Sequence, residues 1–320
     1  MLNLKKIIFL FLFLLQHSYA NFKSDLANQY ARGLNAILFF TSEDIISSGH
    51  YTFDTFDGTL DSYFFPFTYD FKNDCDDYNY FINGSIGFSN YREKNIDLNR
   101  GSATDAIKLR TYALKLGGGT RFNTSINTDI NLGAAYIYSR VDGDYKTSQP
   151  LDTTNPDDAI INNIINSHQN HHTFEVSTSF EYHPIINDYK PYINIGIRHF
   201  TTKVDDSYAT IPNINSAISK LKIGVITPAV TEVFSLPLRL EPYASAIYLA
   251  GDLDNTLDLN KFFVVGMTFR FGSYPLTCWV EDVVKLKRDS IDWVKEVTFD
   301  MNFVKGNNFD GFNVGLGVKF

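Results

Sequence analysis

From about Ser47 to the last residue the chain repeats one pattern, in which apolar side chains occupy every second position of successive runs broken by short polar or glycine-containing stretches. Period-two alternation places neighbouring side chains on opposite faces of an extended strand. In Phe262–Phe271, Phe263, Val265, Met267, Phe269 and Phe271 share one face, with Gly266, Thr268 and Arg270 on the other. In Thr173–Tyr182, Phe174, Val176, Phe180 and Tyr182 alternate with Glu175, Ser177, Ser179 and Glu181. Recurrent carboxylates on the second face are expected to meet water, so that face should line a wet lumen and not a packed core.

Twelve such spans are predicted: Ser47–Phe56, Thr59–Phe71, Tyr78–Tyr91, Ala106–Arg121, Thr128–Tyr145, Thr173–Tyr182, Tyr189–Lys203, Ala217–Thr227, Leu236–Ala250, Phe262–Phe271, Val294–Phe303 and Asn308–Phe320. The fourth switches its apolar phase midway. An even number suits a closed antiparallel transmembrane β-barrel of twelve strands. If the final strand descends to the periplasm, parity puts the long polar connections Arg92–Asp105, Lys146–His172 and Val204–Ser216 outside. It leaves the short ones, Lys72–Asp77, Phe122–Asn127 and Pro184–Asp188, inside, which is the asymmetry of outer-membrane barrels. Gly272–Trp293 is the exception, a long periplasmic connection with Trp279, Val280, Val283, Val284 and Leu286 at helical spacing.

The final strand carries the clearest signal. Phe312, Val314, Leu316, Val318 and Phe320 share one face, and Gly311, Asn313, Gly315, Gly317 and Lys319 the other. Ending on an aromatic residue, it resembles the assembly signal that the barrel-insertion machinery reads in bacterial outer-membrane barrels. A cation at Leu316 should be costly and one at Asn313 far less so, because the two positions face lipid and lumen respectively.

At the other end, Lys5 and Lys6 precede the apolar run Ile7–Leu15 and the small-x-small sequence Ser18-Tyr19-Ala20, which reads as a secretory signal peptide over residues 1–20. Residues 21–46 then hold a helix, with Ser24 or Asp25 as cap and Leu26, Tyr30, Leu34, Ile37 and Leu38 on one face. It is expected in the lumen as a plug or against the rim, with the barrel over 47–320. The 28 Phe and 19 Tyr against two Trp suit aromatic girdles. A net charge of −8 argues against a nucleic-acid partner.

A signal peptide, one helix and about twelve strands ending in FNVGLGVKF resemble the translocator domain of autotransporters, and more closely the solitary outer-membrane autotransporter-like β-domains. The segment SDLANQYARGLNAILFFTSEDIISSGHYTF carries that likeness most specifically. The resemblance implies a Gram-negative outer membrane, a twelve-stranded barrel and a helix within it. Outer-membrane lipid and lipopolysaccharide would surround such a barrel, the insertion machinery would be a transient partner, and a monomer without passenger is expected. A small diffusion channel or solute transporter is the alternative.

Candidate chemistry is sparse. A lipid-directed hydrolase needs a nucleophile beside a base on an outward strand. His183 precedes Pro184, and Phe200, Thr201 and Thr202 follow His199, so no catalytic residue, metal or cofactor is assigned. Ser167–His172 holds three histidines and reads as a solvated loop. Arg198, Lys220, Lys222, Arg239 and Arg270 share the expected lumen with Glu175, Glu181, Glu241 and Asp300, either setting ion selectivity or neutralising one another. Cys75 and Cys278 both fall in periplasmic connections and are candidates for one disulfide.

Overall fold

The computed structural model describes residues 46–54, 57–71, 78–96, 105–148, 150, 152, 154, 168–205, 214–233, 236–272 and 296–319. The signal peptide, the Ser24–Phe40 helix, the Trp279–Leu286 segment, Cys75, Cys278 and Phe320 lie outside the described residues.

The alternating runs form strands β1 (Ile46–Phe53), β2 (Gly58–Phe71), β3 (Tyr78–Ile96), β4 (Asp105–Ser125), β5 (Thr128–Lys146), β6 (His168–Tyr182), β7 (Lys190–Asp205) and β8 (Ile214–Ile226). After the short β9 (Thr231–Val233) come β10 (Leu236–Gly251), β11 (Lys261–Gly272), β12 (Glu296–Gly306) and β13 (Phe309–Lys319). All pairings are antiparallel between neighbours, except that β9 is a spur hydrogen-bonded only to β10, which bridges β8 and β11. β1 pairs with β13 from Ile46 opposite Leu316 to Phe53 opposite Phe309, so the sheet closes as a twelve-stranded barrel. No edge of it is left to aggregate.

Both terminal strands have their outer ends at the end of the barrel where turns are short, as at Ile126–Asn127 between β4 and β5. The opposite, loop end carries the connections 97–104, 147–167 and 206–213. Strands also run further toward the loops than the sequence pattern predicts: β3 continues to Ile96, β6 begins at His168, and β12 reaches Gly306.

That extension explains the phase switch in the fourth predicted span. On β4 the facing is kept from Ala106 to Asn123, short of a register shift at the turn, but the polarity of each face inverts along that length. Toward the turn end Tyr112, Leu114 and Leu116 point outward and are exposed, while Lys115 points inward. Toward the loop end Ile107 and Leu109 are the inward, buried side chains, and Lys108 and Arg110 point outward. β5 behaves alike, with Tyr136 and Tyr138 exposed on the outward face and Ile137 and Val141 buried inside. Above the apolar band the outer face meets water and takes charge, and the inner face is free to be apolar.

Between β10 and β11 the chain turns in through helix α1 (Asp252–Leu257). Gly251 caps it at φ 78°, where an added Cβ would lie 2.4 Å from the Asn215 carbonyl oxygen, so this reversal needs glycine. Leu253, Leu257 and Leu259 are buried, and the Asp252 carboxylate accepts the Asn215 backbone N–H at 2.7 Å. Burial pushes the Asp252 carboxyl above the usual carboxylate range, partly offset by that amide. α1 was not predicted, being shorter than two turns and without an amphipathic repeat.

Candidate functional site in the barrel lumen

Chemistry in a barrel lies either in the lumen or on the outer wall, and here the lumen divides into two layers. At the loop end the inward side chains form one contiguous apolar cluster, with members from every barrel strand except β6 and from α1. Phe309 is its centre: it stacks with Tyr51 at 5.6 Å, tilts against Phe53 at 4.9 Å and meets Phe262 edge-on at 5.6 Å. Several polar groups within this layer are paired, whereas the buried Thr111 and Ser139 hydroxyls have no hydrogen-bond partner among the described residues. Tyr91 Oη donates to Glu93 at 2.6 Å, Tyr145 Oη to Asp105 at 2.5 Å, and Thr173 shares a 2.7 Å hydrogen bond with Thr202. Expectation and structure differ here, because the loop-end layer of the lumen is packed core and not wet.

Toward the turn end the inner wall is polar, and its charges meet one another across strands. Glu241 on β10 accepts from Arg270 Nε on β11 at 2.5 Å and from the Tyr192 hydroxyl on β7 at 2.5 Å, with Lys222 Nζ on β8 at 3.5 Å. Arg270 also donates to Glu296 on β12 at 2.7 Å. The Lys222 ammonium lies 4.0 Å from the centre of the Tyr243 ring, a cation–π contact. Asp300 accepts from Thr268 at 2.7 Å, Asn302 at 2.8 Å and Tyr243 at 3.0 Å.

Glu175 is held differently. Its carboxylate takes both oxygens to Lys115 Nζ, at 2.8 and 2.9 Å, across the small Ala135 on the strand between. The two side chains are only 3% and 7% accessible, so the carboxylate on this face is satisfied by an ammonium and not by water. The wet-lumen argument fails at this position for that reason.

All nine lumen charges named from the sequence therefore fall on the inward face by cross-strand register, and the structure gathers Lys222, Glu241 and Arg270 into one network. Glu181, Lys220 and Arg239 share the face but make no ion pair among the described residues. Arg198 is inward as well, opposite Ser177. Sequence reasoning missed Lys115, Tyr192, Tyr243 and Glu296. Parity alone puts Lys115 with Ala113 and Gly117, and Glu296 with Thr298 and Asp300, but a mixed-phase strand hid the first and an uncertain strand start the second.

Of the assembly-signal face, Phe312 and Leu316 are outward and exposed, with Val314 between them. The histidine run is corrected: His168–His172 belongs to β6 and is not a loop. Strand alternation sends His171 inward, fully buried, and leaves His168 and His172 outside, where they bond Asp142 at 2.7 Å and the Tyr136 hydroxyl respectively. The three rings thus cannot converge on one ion. Among the described residues no group of three or more metal-capable side chains occurs. On the outer wall His50 holds Asp61 at 2.7 Å, and the Ser48 hydroxyl on the same face is not hydrogen-bonded to it.

An antiparallel sheet closed on itself, with exposed aromatic and aliphatic side chains banding its outside, defines a transmembrane β-barrel. Its fold is that of autotransporter translocator barrels. The translocator domain of the autotransporter NalP from Neisseria meningitidis superposes with a TM-score of 0.55 at 10% identity, over 92% of this chain and 95% of that one. The transport unit of AIDA-I from Escherichia coli gives 0.53 at 9% identity, over 93% and 99%. The β-domain of the Bordetella autotransporter BrkA gives 0.51 at 9% identity, over 86% and 97%. No protein-family model and no curated protein matches the sequence.

Proposed function

We propose that this chain is a non-enzymatic barrel of a Gram-negative outer membrane, with its loop end outside, and that it stands in the membrane as a closed translocator-type barrel with no passenger in its lumen. The observation that carries this reading is the apolar layer at the loop end. Its lumen-lining aromatics, Tyr51, Tyr91, Phe200, Phe262 and Phe309, are at most 2% accessible, so no water column runs past them. A hydrophilic diffusion pore would instead keep its lining wetted. The neutralised network around Glu241 agrees, since charges that pair with each other are not presented to a passing ion.

Planar-bilayer recording of the folded full-length protein tests it. Quiet bilayers are expected, with conductance appearing in Phe262→Ser or Phe309→Ser, which put a polar hydroxyl into the apolar layer. Steady open-pore currents from the unaltered protein would favour the diffusion-channel reading. Hydrolysis of phospholipid or lipopolysaccharide by purified protein would defeat the non-enzymatic part.

Assembly by the insertion machinery belongs to the same proposal, supported by the outward Phe312 and Leu316 of β13. Phe320→Asp is expected to lower the yield of heat-modifiable, protease-resistant barrel in cells. Undiminished yield would show that the terminal aromatic is not read.

A further inference from the structure

The outer wall at the loop end is not uniform. On β3, β4 and β5 the cross-strand register sets Arg92 directly opposite Lys108, Asn90 opposite Arg110, and Tyr112 opposite Arg140, all on the outward face. Two cations facing each other across an antiparallel pair repel, and such a pair is normally avoided unless something anionic lies between. Lys108 and Arg110 make no ion pair among the described residues. The neighbouring carboxylates are shared between the patch and the histidines beside it: Asp142 is bonded by Arg140 of the patch at 2.9 Å and by His168 at 2.7 Å, and Asp61 by His50 at 2.7 Å, with Arg92 of the patch at 3.5 Å, which leaves Lys108 and Arg110 without either carboxylate. Asp144, opposite Lys108, is the remaining acid in the patch.

The height of the patch identifies its occupant. Immediately below it runs an outward aromatic row, Tyr63 to the half-buried Phe88 at 6.0 Å and Phe88 to Tyr112 at 5.2 Å, and below that Ile86, Leu114 and Leu116 face outward into the apolar band. Aromatic girdles sit where acyl chains give way to headgroups. Arg110 stands one row above this girdle, Arg92 and Lys108 two rows above it and Arg140 level with it opposite Tyr112, at the height of lipid phosphate, and guanidinium groups bind phosphate oxygens in bidentate pairs. Elsewhere around the loop end the outward cations stand singly, as Lys203, Lys261 and Lys305 do, and Lys305 is already paired with Asp310 at 3.3 Å.

We infer that Arg92, Lys108, Arg110 and Arg140 form a binding site for the phosphates of an outer-leaflet glycolipid, the chemistry that lipopolysaccharide presents. This rests on the proposed outer-membrane placement with the loop end outside. The lipid would neutralise the Arg92–Lys108 repulsion and lay its acyl chains along Leu114 and Leu116.

The test is binding of diphosphorylated lipid A, its dephosphorylated form and phosphatidylglycerol to detergent-folded full-length protein, followed by native mass spectrometry. The diphosphorylated lipid is expected to bind best, and Lys108→Ser with Arg110→Ser to weaken it about tenfold or more while heat-modifiability is kept. The control pair Lys203→Ser with Lys261→Ser is expected to change it less than about twofold. Equal weakening by both pairs, unchanged binding in the first, or equal affinity for phosphatidylglycerol would reduce the patch to general surface charge and overturn the proposal. Arg110→Gln alone, expected to give a smaller loss in the same direction, serves if the double variant does not fold. Orthophosphate at millimolar concentration is expected not to compete, and full competition would make the site one for free phosphate. Failure of the outer-membrane reading itself shows separately, as absence of the protein from the outer-membrane fraction of cells.

Discussion

Glu175→Ala is expected to destabilise the folded barrel by about 3–5 kcal/mol, because it leaves the Lys115 ammonium buried without its counter-charge. Both oxygens of the carboxylate bond that ammonium, and neither side chain has appreciable contact with solvent. The cost of stripping water from the two ions is already met in the native barrel by their attraction, so removing one partner exposes the whole desolvation penalty of the other. Replacing both, as Lys115→Met with Glu175→Leu, is expected to be close to neutral or to stabilise. Urea titrations of the refolded protein in lipid vesicles measure the difference. A single variant as stable as the unaltered barrel would mean that water reaches this level of the lumen, which would also reopen the question of conduction.

A cation on the outer wall should be nearly as damaging. Leu316 is 52% accessible, faces away from the lumen and sits opposite Phe299 and Ile46, well inside the apolar band. Leu316→Arg is expected to cost about 2–4 kcal/mol, the penalty for arginine near the bilayer midplane. Asn313→Arg, a mild change by alternation alone, is expected to be costly as well. Asn313 is inward but only 5% accessible, with Gly49 and Asn302 as its cross-strand partners. An arginine there would have to enter a packed wall. The better control is Lys305, outward and exposed at the loop end, where alanine is expected to change stability by about 0.5 kcal/mol or less. If Leu316→Arg and Lys305→Ala cost the same, the facing of β13 is wrong.

The barrel was legible because strand alternation holds along the body of each strand and the register shifts, between Lys94 and Ile96 and between Asn123 and Ser125, fall near strand ends: Phe263 and Val265 outside, Thr268 and Arg270 inside, and Phe312 and Leu316 outside all follow from parity. The lumen was legible only in part. Parity says which residues share a face but not what opposes that face, so a carboxylate bonded to a lysine two strands away looks the same in sequence as one bathed in water. Ile107 and Leu109 carried the missing information as a phase switch, which marks where β4 leaves the apolar band and where the interior becomes packed. The histidines misled for the converse reason. Their density suggested a solvated loop, whereas the strand reaches past them and separates them by face.

Closure of β1 on β13 has a consequence for how the molecule can come into being. The first and last strands are neighbours through eight residue pairs, Ile46–Leu316 to Phe53–Phe309, although more than 250 positions of chain lie between them. Joining such distant partners carries the largest loop-closure entropy in the molecule and must come late. Until then β1 presents a bare row of amide and carbonyl groups that nothing else in the chain is placed to satisfy, and the apolar layer around Phe309 lacks its centre. β13 then completes the wall and the apolar seal in one event.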